Sequence, residues 1–349
     1  MTAKNQNALD SLKKYAATPI FTYIALAIAF ALLIAVPFMG LDSYVMNILV
    51  KVSIYVTMAL GLNILVGFTG LVSLGQAGFV AVGAYTTTIL TTMYGWNYFL
   101  ALPVCILFSV LVGILIGLPS LRLTGTYLSI ITLGFGEIVR TIIIVWEPMT
   151  RGPLGIRGIP KPSLFGVQFT MANAGLYFLS IVLMLLVTLF THLLIRSKTG
   201  RAFRAIKGDE MAAMMMGINV TYYKVLAFVL AAVISALAGS LYSTQLGYID
   251  QNTFTFDMST MILSIVILGG MGTIRGMFIG SAILVILPEV SRSLMDYRFV
   301  IYGLILILMM RFRPQGLLGW KSRRPYPISP KALALKEEAA SKEGWSTHA

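Results

Sequence analysis

Long apolar runs, each bounded by a few charges, glycines or prolines, recur along the whole chain, and one extended polar stretch from Arg196 to Lys224 interrupts them. A helix needs about 20 apolar residues to cross about 30 Å of hydrocarbon. The pattern predicts such spans near 20–39, 44–66, 71–92, 98–119, 124–146, 175–195, 223–246, 258–274, 276–290 and 298–311. That is about ten spans, within a range of about eight to eleven. The fold class is therefore all-α, a polytopic transmembrane helical bundle with glycine-rich or broken helices. It divides into an N-terminal segment 1–19, a membrane domain 20–311 with an outer loop at 147–174 and an inner polar segment at 196–222, and a C-terminal tail 312–349.

Composition agrees with lipid as the solvent. Of the 349 residues 58% are hydrophobic and 11% charged, and the mean hydropathy is +0.86, which leaves too little polar surface to clothe a water-soluble core. Lys and Arg flanking spans stay on the cytoplasmic side. With both termini inside, Lys4, Lys13, Lys14, Arg122, the basic residues of 196–207, Lys224, Arg275 and Arg311 to Arg324 fall inside, and Arg151, Arg157, Lys161, Arg292 and Arg298 outside. The net charge of +13 thus reads as topology and contact with anionic headgroups, not as a nucleic-acid surface. No cleavable signal is expected before the first span. Cys105, the single cysteine, is expected as a small buried hydrophobe.

Catalytic chemistry finds no foothold. His192 and His348 are the two histidines, no metal-ligand spacing occurs, and nothing matches the phosphate-binding G-x-x-x-x-G-K-[ST] pattern. No catalytic residue and no metal ligand are therefore expected, and any ATP driving this chain is hydrolysed by another polypeptide.

Two readings fit the glycines of NILVGFTGLVSLGQAGFVAVGAY, which starts at Asn63. They allow close helix packing, or they mark a broken helix whose exposed backbone lines a solute route. On the second reading Asn63, Ser73, Gly75, Gln76 and Gly78 line the route. Glu137 and Arg140 share a helix face, which permits an ion pair that is either a bridge or a pathway element, or lets Arg140 snorkel outward. Lys51 carries the same ambiguity, and Glu289 is expected near an outer helix end. Gly272, Gly276 and Gly280 fall four apart on one packing stripe, while Arg275 argues for a tight turn between two short spans. The prolines and glycines of RGPLGIRGIPKP predict a rigid folded-over loop or a surface that receives a delivered ligand or its carrier.

The segment RSKTGRAFRAIKGDEMAAMMMGINVTYYK predicts one or two short interfacial helices divided at Gly208 and Gly217. An apolar face is expected from Ala202, Phe203, Ala205, Ile206, Met211, Ala212, Met214, Met215 and Ile218. It rests on anionic lipid, or it seats in a groove on a soluble partner, where methionines adapt to an irregular pocket.

The stretch from Asn63, then GRAFRAIKGDEMAAMMMGINVTYYKVLAFVLAAVISALAGSLY, then ILGGMGTIRGMFIG and RFRPQGLLG, resemble the permease family of branched-chain amino acid ABC importers, the M-type subunits of the Liv system, over about residues 44–319. The resemblance implies a bacterial inner-membrane subunit with 147–174 periplasmic. It implies a second homologous permease, two ATP-binding cassette subunits that hold the ATP and magnesium, and a periplasmic substrate-binding protein as partners. It also implies that 196–222 is the coupling segment, with Ala205, Lys207, Gly208, Asp209, Glu210, Ala212, Ala213, Gly217 and Ile218 transmitting the motor's movement, and the expected cargo is a branched-chain or other hydrophobic amino acid. A urea or short-amide permease of the same type is the nearest alternative, and an ion-coupled secondary transporter the alternative from another class.

Overall fold

The computed structural model describes residues 42–120, 125–164, 167–171, 173–290 and a few positions between 303 and 318. The predicted span at 20–39, nearly all of that at 298–311, the segment 1–19, Arg292, Arg298 and the tail beyond 318 lie outside the described residues. The helices are α1 (Ser43–Asn63), α2 (Gln76–Thr92), α3 (Tyr98–Ser120), α4 (Thr126–Val145), α5 (Glu147–Thr150), α6 (Gly175–Arg196), α7 (Lys198–Gly208), α8 (Glu210–Met215), α9 (Val220–Leu246), α10 (Phe256–Gly269) and α11 (Ile274–Val290). Four two-residue strands, β1 (Ile156–Arg157), β2 (Ser163–Leu164), β3 (Val167–Gln168) and β4 (Tyr248–Ile249), are the only departure from all-α among the described residues.

Five of the described helices are long and apolar enough to cross a membrane: α1 with its extension to Thr69, α3, α4, α6 and α9. That is fewer than the ten or so predicted. Part of the difference is physical, because α2 has 17 residues, α10 has 14 and α11 has 17. At about 1.5 Å per residue these helices fall short of 30 Å and need non-helical backbone to complete a crossing.

α9 is the axis of the bundle, packed against α1, α2 and α3. Its inner face is made of small residues, with Ala231, Ala232, Ser235, Ala236, Ala238 and Ser240 all fully enclosed. A Cβ at Gly83 would overlap the backbone of Ala236, one at Gly239 the backbone of Val80, and one at Gly61 would come within 2.8 Å of Ser235 Oγ. Small residues on both sides let the backbones touch, which is how helices associate where the surrounding lipid is as apolar as leucine. Cys105 closes the α2–α3–α9 contact, its Sγ 3.8 Å from Gly83 O and 3.9 Å from Ala236 O. By contrast α3, α4 and α6 keep large apolar side chains exposed, among them Leu107, Leu115, Ile130, Ile138, Leu186 and Leu193, the composition of a surface facing lipid or another membrane subunit.

The two ends of the bundle differ. At the loop end, the segment between α4 and α6 is clipped onto α9: β1 pairs antiparallel with β4, Ile156 opposite Ile249, Arg157 stacks 5.3 Å over the Tyr248 ring, and Lys161 Nζ donates to Thr244 O at 2.5 Å. The folded-over loop expected from its prolines is present. The opposite end carries the α7–α8 hairpin and the α10–α11 turn.

Two sequence expectations need correction. The tight turn expected at Arg275 is present but falls before it, with Arg275 inside α11, so Gly272 is not on a helical stripe with Gly276 and Gly280. It sits in the turn between α10 and α11 at φ +86°, a left-handed conformation that glycine tolerates. Gly276 and Gly280 do pack, against Gly269 and against Ile265 and Gly269 respectively. Nor is the helix predicted from 71 helical there, since it begins at Gln76.

Candidate functional site

α1 does not end cleanly. After Asn63 its turns widen into a π-helix, Ile64–Thr69, closed by Gly70 at φ +76°. π-turns are rare and recur at functional positions. The chain then runs irregularly through 70–75 before α2 begins at Gln76. Without helical partners, this backbone is held by α4: Thr132 Oγ1 accepts from Leu74 N at 3.0 Å, and Ser129 Oγ donates to Val72 O at 3.2 Å. A Cβ at Gly75 would overlap Thr132 O.

The first turn of α2 lies deep in the bundle. Ala77 N donates to Ser259 Oγ of α10 at 2.9 Å, and Gln76 Nε2 donates to Ser235 Oγ near the middle of α9. Ser73, Gly75, Gln76 and Gly78 are all buried there. Gln76 Oε1 has no hydrogen-bond partner, and a buried acceptor left unmade costs about 1–3 kcal/mol. Asn63 lies elsewhere, beneath the α10–α11 turn, where its Oδ1 accepts from Gly272 N at 2.8 Å and its Nδ2 donates to Thr273 O at 3.3 Å. Glu137 is on the open side of α4, 3.5 Å from Arg140 with side chains 47% and 34% exposed. The structure thus gathers four of the predicted route residues at one break and leaves Asn63 and Glu137 apart from it.

The polar segment folds into two helices. Ser197 caps α7 by accepting from Gly200 N at 3.4 Å, Asp209 caps α8 by accepting from Ala212 N at 2.9 Å, and Asn219 caps α9 by accepting from Tyr222 N at 3.1 Å. Each is a residue type favoured at that position, and each starts a helix where the chain turns. Gly208 and Gly217 mark the divisions, the latter at φ +81°. The single apolar face expected across both helices is instead divided. Ala202, Phe203 and Ile206 of α7 are buried against the bundle, with Ala213 and Val220 beside Ile206, while Met211, Met214, Met215 and Met216 are exposed. α7 is short and amphipathic, so its apolar side is consumed by the membrane domain. α8 has only Ala213 to bury and presents its methionines outward.

Lys224 fixes this hairpin. Its ammonium, in a side chain 2% exposed, meets Glu210 at 2.5 Å. Lys207 does more, because its Nζ donates to Gly67 O in the π-helix at 2.6 Å and stands near Gly272. Partial burial lowers the Lys207 pKa from its ordinary value. At the same place Leu317 N donates to Leu268 O at 2.8 Å and Leu318 N to Gly269 O at 3.2 Å, with Gly316 against Gly270. The four stretches that carried the family resemblance, far apart along the chain, therefore meet at one junction: Asn63 and Gly67, Lys207, the turn after Gly269, and Gly316 to Leu318.

Sequence reasoning missed the partners that complete these sites. Thr132, Ser235 and Ser259 are ordinary hydroxyls in apolar helices, and nothing local marks them. Lys51 was ambiguous in sequence, and the structure pairs it with Glu289, 2.8 Å away.

The family described as the permease component of branched-chain amino acid transport systems matches residues 44–310. The chain is 36% identical over 332 residues to the high-affinity branched-chain amino acid transport system permease protein LivM of Salmonella typhimurium, covering 89% of this chain and 76% of that one. It is 36% identical over 334 residues to the LivM of Escherichia coli K12, with the same coverage. It is also 32% identical over 180 residues to the LivH of Escherichia coli K12, covering 47% of this chain and 57% of that one. No solved structure matches it.

Proposed function

The chain belongs to the family of branched-chain amino acid transport permeases, a multi-pass membrane protein family, and on that premise we propose how it works: as one membrane half of an ATP-driven importer of branched-chain amino acids. The hairpin end faces the cytoplasm of the inner membrane and the loop end faces outward. Likeness to both LivM and LivH relatives supports a second, homologous permease as the other half. Two ATP-binding cassette subunits bind ATP and magnesium and grip α7–α8, and a periplasmic binding protein delivers the amino acid to the loop end.

One observation carries this reading: the hydrogen bond from Lys207 to Gly67 ties the hairpin to the π-helical end of α1, directly before the irregular 70–75 segment. A displacement of the hairpin reaches the break through one residue and a stretch of backbone. The exposed methionines of α8 offer an adaptable surface to a groove on the motor. Closure of the ATPase dimer moves the hairpin as a rigid body, the π-turns and the α10–α11 turn move with it, and the break around Gln76 opens to one side of the membrane at a time. The amino acid passes Gln76, Ser73 and Gly75, where the unpaired Gln76 Oε1 accepts from its ammonium group. A lining without formal charge gives a zwitterion a path without a trap. Glu137 and Arg140, on the open side of α4 and apart from the break, serve as a bridge and not as part of this route.

The test is uptake of labelled leucine by proteoliposomes containing the assembled complex and its binding protein. Uptake that requires both ATP and the cassette subunits is expected. Leucine accumulation by this chain without them would remove the motor from the account, and family membership favours neither a urea permease nor an ion-coupled carrier.

A further inference from the structure

The loop end holds a cavity of about 310 Å³, lined by Lys51 and Tyr55 of α1, Tyr242 of α9, Asp257, Met258 and Met261 of α10 with the loop before it, and Leu284, Val285, Pro288 and Glu289 of α11. Its volume lies at the small end of the range for small-molecule sites, about 300–1,000 Å³. A second cavity of about 230 Å³ shares Lys51, Tyr242 and Glu289 with it. The lining has two characters. On one side stand fixed charges of both signs: the Lys51 ammonium, 2.8 Å from Glu289, whose other oxygen accepts from Tyr44 at 3.0 Å, and Asp257, exposed in the first turn of α10. On the other side the wall is apolar, formed by Met258, Met261, Leu284 and Val285.

We infer that this cavity is a receiving site for a zwitterionic α-amino acid with an aliphatic side chain, reached before the break at Gln76. The ammonium of the ligand meets the carboxylates of Asp257 and Glu289, its carboxylate meets Lys51, and its side chain lies on the two methionines and Leu284. Lysine carries three donors, so one bond to Glu289 leaves Lys51 able to bind a further anion. Charge-assisted bonds of this kind are about twice as strong as neutral ones and suit a ligand bearing both signs.

The position of the cavity leads onward to the break. Met258 lines it, and the next residue, Ser259, accepts the bond from Ala77 at the start of α2. Tyr242 lines it from α9, and two turns further into the bundle on the same helix Ser235 holds Gln76. A charged receiving site at the mouth therefore opens toward an uncharged passage. This inference rests on the importer reading above and adds to it where the ligand first binds the permease.

The experiment uses the complete complex in nanodiscs and a diazirine analogue of leucine, with crosslinks mapped by mass spectrometry. Labelling is expected on the peptides bearing Met258, Met261 and Leu284. Leucine should compete, whereas 4-methylpentanoate, which lacks the ammonium, and 3-methylbutylamine, which lacks the carboxylate, should not. Asp257→Asn, and the exchange Lys51→Glu with Glu289→Lys that keeps a pair in place, should each cut labelling about tenfold, the consequence of one lost charge-assisted contact. Labelling confined to other peptides, equal competition by the two analogues, or competition by phosphatidylethanolamine but not by leucine would overturn the site. The competition arms use the unaltered complex, so they decide even if a variant fails to assemble. ATP-driven leucine uptake scored in the same preparation separates the two levels: uptake without labelling here removes only the receiving site, and absence of uptake removes the importer reading with it.

Discussion

Charged side chains stand at both ends of this bundle, but they are used in opposite ways. At the hairpin end, Lys207 is spent on a backbone carbonyl of the π-helix and Lys224 on Glu210, in a junction where glycine backbones touch. At the loop end, Lys51, Glu289 and Asp257 border an open cavity. The first arrangement encloses its charges within packed backbone; the second pairs Lys51 with Glu289 at the rim of a cavity. The difference teaches that a charge inside a membrane protein is read from what it closes off, since all of these residues look alike as isolated exceptions in an apolar sequence.

The comparison breaks most severely at Gly67. A Cβ there would overlap Asn63 Oδ1 and come within 2.5 Å of Gly272 N, so Gly67→Val should push the α10–α11 turn off α1, cost about 3 kcal/mol as an overpacked site, and abolish uptake. A thermal unfolding scan in detergent, together with uptake, checks this; unchanged melting would show that the junction is loose. Next comes the pair at the other side of the hairpin. Glu210→Gln leaves the buried Lys224 ammonium without its countercharge, and because Glu210 is 39% exposed the expected loss is about 1–2 kcal/mol, well under that of a fully buried pair. Met215→Asp, at a residue 79% exposed, should change stability by no more than about 0.5 kcal/mol yet lower co-purification of the cassette subunits. Equal recovery of those subunits would count against α8 as their seat.

The smallest effect is one of pH. Since partial burial places the Lys207 pKa below that of an exposed lysine, the charged form is penalised in the folded state near neutrality, and that penalty fades as pH rises through the lowered folded value. The charge-assisted bond to Gly67 fades over the same window. Coupling should therefore weaken on the alkaline side before fully exposed lysines titrate, and Lys207→Arg, which stays protonated, should resist the change.

Much of this was legible in sequence, for physical reasons. Apolar length announced the spans, the glycines around Gly75 admitted a break in the helix beside plain close packing, and Gly208 and Gly217 announced where the polar segment divides. What sequence did not contain was which distant groups meet. Glu289 lies far along the chain from Lys51, Ser235 from Gln76, and Gly67 from Lys207, and no periodicity links them. The divided apolar face of α7 and α8 was hidden for a related reason: methionine and phenylalanine read alike as apolar, and only the packed bundle decides which of them finds a wall to bury against.

The central claim is that the hairpin drives the break through Lys207. Leucine transported per ATP hydrolysed, measured in proteoliposomes for Lys207→Met beside the unaltered complex, tests it most directly. Mutations along a coupling path typically alter coupling by about 0.5–2 kcal/mol, so the account predicts retained ATPase activity with roughly tenfold less leucine moved per ATP. An unchanged ratio, with the cassette subunits still bound, would contradict it.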